Sequence, residues 1–369
     1  MRIAFYAPLK PPDHPNPSGD RRLARLFLDG LQLAGHEPFV ASRLRSYDRV
    51  GDRSRQLALY DAAQHEAERL LLLWRQQPHA APALWFTYHL YYKAPDWLGP
   101  RIAAALGVPY VVAEASFAPQ RAAGAWEAGH RGMEAALRAA DAVLGLNQAD
   151  RDCVLPVLRD PHRWVALSPF LDARSYQRRR AAKPSGTLRL ITVAMMRPGD
   201  KLASYRLLGS TLATMLDLSW TLEVIGDGAA RAEVEAALTP LGERVRYRGA
   251  LDDAAVAAAL TEADLFVWPA INEAFGMAML EAQASGVPVV AGASGGVAGI
   301  VRSGETGLLV PPGDAEAFAA AVRRLLSDPT ERASMARRAR DVVRRDHDLP
   351  SAAAQLATVI GRLCRVKAA

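Results

Sequence analysis

At 369 residues the chain exceeds the usual size of a single hydrophobic core, so two domains of roughly 150–200 residues are expected. Half of it is apolar and 23% charged, with 27 Gly, 24 Pro and no low-complexity tract, which excludes a disordered chain. The formal charge of +6 favours anionic partners, but arginine is scattered throughout. No helix-turn-helix, zinc-finger spacing or aromatic RNA platform accompanies it, so nucleic acid is not expected.

The chain opens on "RIAFYAP", too short an apolar run for a signal peptide and lacking a small-residue cleavage pattern. The Pro-rich "YAPLKPPDHPNPSGDRR" follows as a loop. Residues 18–36 read as an amphipathic helix, capped by Ser18, ended by Gly35, with Leu23, Leu26, Phe27 and Leu31 at helical spacing. Arg21, Arg22 and Arg25 share a face of that helix; they could meet anionic lipid or a substrate, though a solvated face is the simpler reading.

Short β-branched or aromatic runs then alternate with helical stretches: "EPFVAS", "ALWFTY", "VPYVVAE", "DAVLGL" and "RWVAL". Such alternation specifies βαβ units around a parallel sheet. Residues 172–186 are polar, basic and aperiodic, and read as a linker. Alternation resumes with "LRLITVA", "WTLEVIG", "RVRYRG", "DLFVWPA", "VPVVAG" and "TGLLV". Asp314 then caps a helix with Phe318, Val322, Leu325 and Leu326 on one stripe. The expected fold is α/β: two Rossmann-like domains whose parallel sheets face across a cleft, with ligands at the carboxyl ends of the strands. Expected bounds are 1–171, a linker at 172–186, 187–349, and a final helix at 350–369.

Cys153 and Cys364 lie far apart in apolar, helical contexts, which argues against a disulfide framework and for a reducing cytoplasm. No apolar stretch approaches the roughly 20 residues that cross a bilayer. A soluble, cytoplasmic protein is expected, with peripheral contact at the inner membrane face left open.

Strand-end loops carry the site candidates. In "NEAFGMAMLE", Glu273 falls in the loop after "DLFVWPA", and Glu281 falls about five residues into the next helix, roughly 7 Å further on. Free N–H groups near Gly276 would favour a phosphate or sugar hydroxyl. Alternatively Glu273 merely complements the helix dipole and Glu281 is solvated. Arg197 and Lys201 follow the first strand of the second half, in "VAMMRPGDKLAS", where a solvated turn around Pro198 and Gly199 is the competing reading. His89 follows a first-half strand. Gly226, Asp227 and Gly228 follow another strand, but Arg231 occupies the third glycine's place of a dinucleotide fingerprint, so a nicotinamide cofactor is not expected. "DHD" at Asp346–Asp348 reads as solvated surface, and no cluster offers metal-ligand spacing.

Taken together, "NEAFGMAMLEAQASGVPVVAGASGGVAGIVRSGETGLLVPPGD" closely resembles the carboxyl-terminal signature of family 4 retaining glycosyltransferases of the GT-B fold. The Glu-x7-Glu spacing, Phe-Gly pair, "GVPVVA", Gly295–Gly296 and "TGLLVPPGD" all match. By this resemblance Glu273 holds donor-sugar hydroxyls and Glu281 the ribose of a nucleotide. The N–H groups around Phe275, Gly276 and Met277 face the sugar–diphosphate, and Arg197 and Lys201 neutralise the pyrophosphate as it leaves. Gly226 and Asp227 join the donor site, and His89 positions the transferred sugar. The family reads Gly before Arg197 where this chain has Met196, and a Gly-Gly pair in the first loop where it has Ser18–Gly19, which leaves the role of Gly19 open. The implied activity is metal-independent, retaining transfer of a sugar from a nucleotide-diphosphate sugar to a hydroxyl of a glycan, lipid-linked or small-molecule acceptor. A nucleotide-sugar 2-epimerase of the same fold and a non-catalytic nucleotide-sugar binder are the alternatives.

Overall fold

Runs such as "RIAFY" and "LRLIT" are apolar on both faces, as strands must be when helices cover both sides of a parallel sheet. All the runs quoted as strands form strands in the computed structural model, which describes residues 1–16, 18–176 and 186–368. The chain divides into two units, one comprising Met1–Ser168 together with the segment from Leu349 onward, the other Pro169–Asp348.

The first unit runs β1 (Arg2–Tyr6), α1 (Gly19–Leu33), β2 (Glu37–Ser42), α2 (Arg53–Gln76), β3 (Leu84–Tyr91), α3 (Gly99–Leu106), β4 (Tyr110–Ser116) and α4 (Glu127–Ala139). It continues through β5 (Ala142–Gly145), α5 (Arg151–Val154) and β6 (Trp164–Ala166). Its strands are parallel in the order β2-β1-β3-β4-β5-β6, so connections change direction between β1 and β3. Phe27, on the buried face of α1, packs 5.5 Å from Phe86 and 5.3 Å from Tyr88, with Phe5 stacked on Phe86 at 5.8 Å. Truncating one such ring costs about 3–5 kcal/mol. Ser18 caps α1 by accepting from the N–H of Arg21, and the predicted stripe Leu23, Leu26, Phe27 and Leu31 is buried.

The second unit runs β7 (Leu188–Val193), α6 (Asp200–Ala213), β8 (Trp220–Ile225), α7 (Arg231–Leu238), β9 (Val245–Gly249), α8 (Asp253–Glu262) and β10 (Leu265–Trp268). It ends with α9 (Met277–Ala284), β11 (Val289–Gly292), β12 (Gly307–Val310), α10 (Ala315–Ser327) and α11 (Pro329–Val342). The sheet order β12-β11-β10-β7-β8-β9 is that of a Rossmann domain, with its direction change between β7 and β10. Asp314 caps α10, and Phe318, Val322, Leu325 and Leu326 are buried beneath it.

The last helix, α12 (Leu349–Ala368), packs against α1, where Gly30 lets Leu356 and Leu349 approach. The stretch expected as a linker begins with a 3-10 turn, Ala173–Tyr176, whose Ala173 and Tyr176 are buried in the second unit's core. Residues 177–185 of it lie outside the described residues. The Asp346–Asp348 motif is not the solvated surface expected from its charge. Asp346 pairs with Arg302 at 2.5 Å, buried His347 donates from Nδ1 to the carbonyl of Pro169 at 2.7 Å, and Asp348 accepts from the N–H of Ala173 at 3.0 Å. These bonds tie the two ends of the second unit's chain to each other.

Candidate functional site

In an open α/β sheet, ligands gather where the winding direction changes, at the carboxyl ends of the strands. In the second unit that point lies between β7 and β10; the loops there carry Arg197 and Glu273, and Lys201 lies in the first turn of α6.

Glu273 is held from several sides. Its carboxylate is ion-paired with Lys201 and accepts from the indole Nε1 of Trp268 at 3.2 Å. The Lys201 ammonium also lies 5.4 Å from the centre of the Trp268 ring, which packs edge-on against Tyr205. The backbone N–H of Glu273 donates to Ser294 Oγ at 2.9 Å, and that hydroxyl donates to the carbonyl of Ala270 at 2.5 Å. Ala270 has a left-handed φ of 48°, strain that a non-glycine residue retains only when its surroundings fix it. Gly295 and Gly296 are required by contact: a Cβ at Gly295 would fall 2.1 Å from the carbonyl oxygen of Glu273, and one at Gly296 2.5 Å from that of Ala274.

The loop after β7 is anchored differently. Met196, where a glycine was expected, is fully buried in the core, so its side chain points away from the loop surface. Its N–H donates to the carbonyl of Asp227 and its own carbonyl accepts from Ala230, which joins this loop to the one after β8. Gly226 and Gly228 make that approach feasible, since side chains there would strike the carbonyls of Ala194 and Met196. The Asp227 carboxylate accepts from the N–H of Gly228 at 2.8 Å and faces Arg231 at 3.3 Å. Arg197 is exposed and has no ion-pair partner among the described residues.

Gly276 precedes α9 with φ 75°, Met277 is the first helical residue, and Phe275 is half-buried beside them. The first N–H groups of this helix have no partner within it. Glu281 is only 4% exposed, unlike the solvated acid of the competing reading.

The first unit concentrates charge at its own change of direction, between β1 and β3. His89 does not follow its strand as expected but lies within β3, two residues before its end; its Nδ1 donates to Asp20 Oδ1 at 3.0 Å, and Glu114 Oε1 lies 3.9 Å away. Burial alone would lower the imidazole's pKa, but the charge of Glu114 and the bond and charge of Asp20, with Asp150 beyond, raise it to about 9. The pKa of Glu114 itself is raised by burial, against the pull of His89 and a hydrogen bond with Tyr88. Its Oε2 has no hydrogen-bond partner among the described residues. Gly19, whose role the sequence leaves open, is the first residue of α1 and sits beside Asp20; a Cβ there would meet nothing. Arg21 donates to the carbonyls of His14 and Pro15, and Arg25 to that of Pro12, so these two arginines hold the Pro-rich loop against α1.

Nothing in the sequence singles out Asp20, Glu114, Asp150, Trp268 or Ser294. Asp20 is legible only as a first-turn acid and Glu114 only as an acid ending an apolar strand, because their convergence on His89 depends on strand order. Among the described residues no group of three or more His, Cys, Asp or Glu side chains is arranged to hold a metal ion, and no helix is long and apolar enough to cross a membrane.

Two Rossmann-like units with parallel sheets define the GT-B architecture. Within it, residues 204–342 match the family model of "Glycosyl transferases group 1". The lipopolysaccharide core biosynthesis glycosyltransferase LpsE of Rhizobium meliloti is 37% identical over 124 residues, 33% of this chain and 36% of that protein, so the match spans about a third of the relative's length. Sucrose-phosphate synthase from Thermosynechococcus elongatus superposes with a TM-score of 0.75 at 20% identity, covering 99% of this chain and 100% of the other. The Anabaena protein HepE in complex with UDP-glucose superposes with a TM-score of 0.69 at 17% identity, covering 98% and 100%.

Proposed function

We propose that the protein is a retaining, metal-independent glycosyltransferase that moves a sugar from a nucleotide-diphosphate sugar to a hydroxyl of a glycan, lipid-linked or small-molecule acceptor. The observation that carries this reading is the Lys201–Glu273 pair, built into the change-of-direction point of the second sheet by Trp268, Ser294 and Gly295. A carboxylate suits a sugar diol because it accepts two hydrogen bonds at once. We assign Glu273 to the sugar and Glu281 to the ribose. Phe275, Gly276 and Met277 present N–H groups to the diphosphate, Gly226 and Asp227 border it, and His89 is assigned to holding sugar hydroxyls. The group 1 match and the UDP-glucose bound to HepE support a nucleotide sugar, UDP-linked, as donor.

In the reaction, the bond from the anomeric carbon to the diphosphate oxygen breaks as the bond from that carbon to the acceptor oxygen forms. Arg197, Lys201 and the start of α9 stabilise the charge on the departing diphosphate, which takes the acceptor's proton. We place the protein in the cytoplasm, in keeping with its two free cysteines.

The test is turnover of UDP-sugars with a panel of hydroxyl acceptors, with the anomeric configuration of the product read by NMR. Glu273→Gln and Arg197→Ala are expected to abolish transfer, and normal turnover by either variant sinks the assignment. Epimer formed from donor alone, with no acceptor, would identify an isomerase instead.

A further inference from the structure

A second set of side chains in the first unit takes no part in the reading above. Three consecutive strand ends each contribute to a surface where cations lie on aromatic faces. After β2, the Arg45 guanidinium is 5.6 Å from the centre of the Tyr47 ring. After β3, Lys93 Nζ is 5.9 Å from the centre of Tyr92 and 5.0 Å from that of Trp126. After β4, the loop that carries Trp126 also carries Arg121, whose guanidinium is 5.8 Å from Tyr92.

The rings are continuous with the His89 cluster. Trp126 meets Tyr92 at 5.3 Å, Tyr92 meets Tyr91 at 5.7 Å, and Tyr91 meets His89 at 5.1 Å. Tyr91 and Tyr92 are half-buried and so partly open to a ligand, whereas Trp126 is buried behind Tyr92. Arginines elsewhere in the unit, such as Arg101 and Arg138, sit against glutamates. Lys93 and Arg121 have no carboxylate partner among the described residues; their only charge-stabilising contacts are the rings.

A cation on an aromatic face is partly desolvated and, without a counter-ion, gains more from an anion than a fully hydrated one does. The rings themselves offer flat apolar surface of the kind that the C–H face of a sugar ring covers. At the other end Asp20 and Glu114 flank His89, with the charge of Asp150 beyond; the partly exposed Asp20 carboxylate can accept hydroxyl hydrogens, and the three acids repel anions. The two ends therefore orient a ligand, with its hydroxyls toward His89 and its negative charge toward Lys93 and Arg121.

We propose that this aromatic series is an acceptor subsite, and that the acceptor is a glycan bearing a carboxylate or phosphate group on a sugar that stacks on Tyr92, which buried Trp126 holds in place. The inference rests on the glycosyltransferase reading and specifies its acceptor.

Binding of trigalacturonate, maltose 1-phosphate and neutral maltotriose to the full-length protein, measured by titration calorimetry, tests it. At least one charged sugar is expected to bind about tenfold more tightly than maltotriose, which is about 1.4 kcal/mol. The choice between the first two shows whether carboxylate or phosphate is read. The preference is expected to vanish in the K93Q/R121Q double variant and to shrink in about 1 M NaCl. Tyr92→Ala should weaken every sugar that binds, while Arg131→Gln, an exposed arginine paired with Glu127, should change nothing. Equal affinity for maltotriose, full preference retained in the double variant, no binding of either charged sugar at millimolar concentration, or inorganic phosphate binding as tightly as maltose 1-phosphate each overturns the proposal. Nucleoside diphosphate binding (UDP, GDP, ADP and dTDP), followed in the same samples by thermal shift, separates the two readings: a diphosphate bound without charged sugar rejects only the acceptor subsite, and charged sugar bound without any of the four rejects the glycosyltransferase.

Discussion

His89 and Glu114 both adopt left-handed backbone, with φ of 62° and 59°, where β3 and β4 run side by side, and their side chains approach to 3.9 Å. The strand register passes from Tyr88–Ala113 to Leu90–Ala115 and omits this pair. Left-handed backbone costs a side-chain-bearing residue about 1–2 kcal/mol, so two adjacent instances mark a site where side-chain direction matters more than regular pairing.

The pair makes a prediction about pH. The His89 imidazole is held at about 9 in the folded protein against an ordinary 6.5, so protonation favours the native state. That stabilisation is complete below the unfolded value of 6.5 and is lost as pH rises through about 9. Melting temperature should therefore fall across this interval, more steeply than in His89→Asn. NMR titration of the imidazole should give a midpoint near 9, moved down by Glu114→Gln; a midpoint at or below 6.5 would contradict the arrangement.

Lys201→Ala removes the cation that pairs with Glu273 and that, in the proposed reaction, stabilises leaving-group charge. A loss of about 10²–10³ in kcat is expected, the range typical of removing one group that stabilises developing charge. Steady-state kinetics with UDP-sugar donors measures it, and Lys201→Arg should restore only part, because a guanidinium presents its donors in a fixed fork.

Gly295 and Gly313 separate contact from conformation. Both have positive φ, 50° and 82°, but a Cβ at Gly295 meets the Glu273 carbonyl whereas one at Gly313 meets nothing. Gly313→Ala should cost about 1–2 kcal/mol, the left-handed penalty alone. Gly295→Ala should cost more and also abolish donor binding, read by chemical denaturation and by the thermal shift with UDP. Equal effects of the two substitutions would show that the close approach is unimportant.

Met196 supplies a fourth test. Its side chain is fully buried in the second unit, so Met196→Gly, although it introduces the residue that the resembled family carries at this place, should destabilise the protein by about 2–5 kcal/mol through the cavity it leaves. Unfolding by urea would report this directly.

Much of the fold is legible in sequence because fully buried parallel strands are written as continuous apolar runs, and Ser18 and Asp314 announce their helices by chemistry that acts within three residues. Glu273 and Glu281 are recognisable because their spacing is local. The His89 cluster is not, since Asp20, Glu114 and Asp150 come from separate βα units and meet only through sheet order. Charge alone also misleads at Asp346–Asp348: nothing local foretells that buried His347 will bond a carbonyl 178 positions earlier in the chain. The same limit explains Met196, since burial of its side chain depends on how the loops after β7 and β8 pack together.

The packing of α12 on α1 bears on how the protein is made. The helix that covers Gly30 and its neighbours is encoded after the whole second unit, so a ribosome releasing residues 1–168 has not yet synthesised part of that unit's own surface. The α1 side that will contact Leu349 and Leu356 stays uncovered while some 180 further residues emerge, an interval in which a nascent-chain binder could occupy it. Messages truncated just before Leu349 should yield a first unit that is aggregation-prone, even though every strand of both sheets is present.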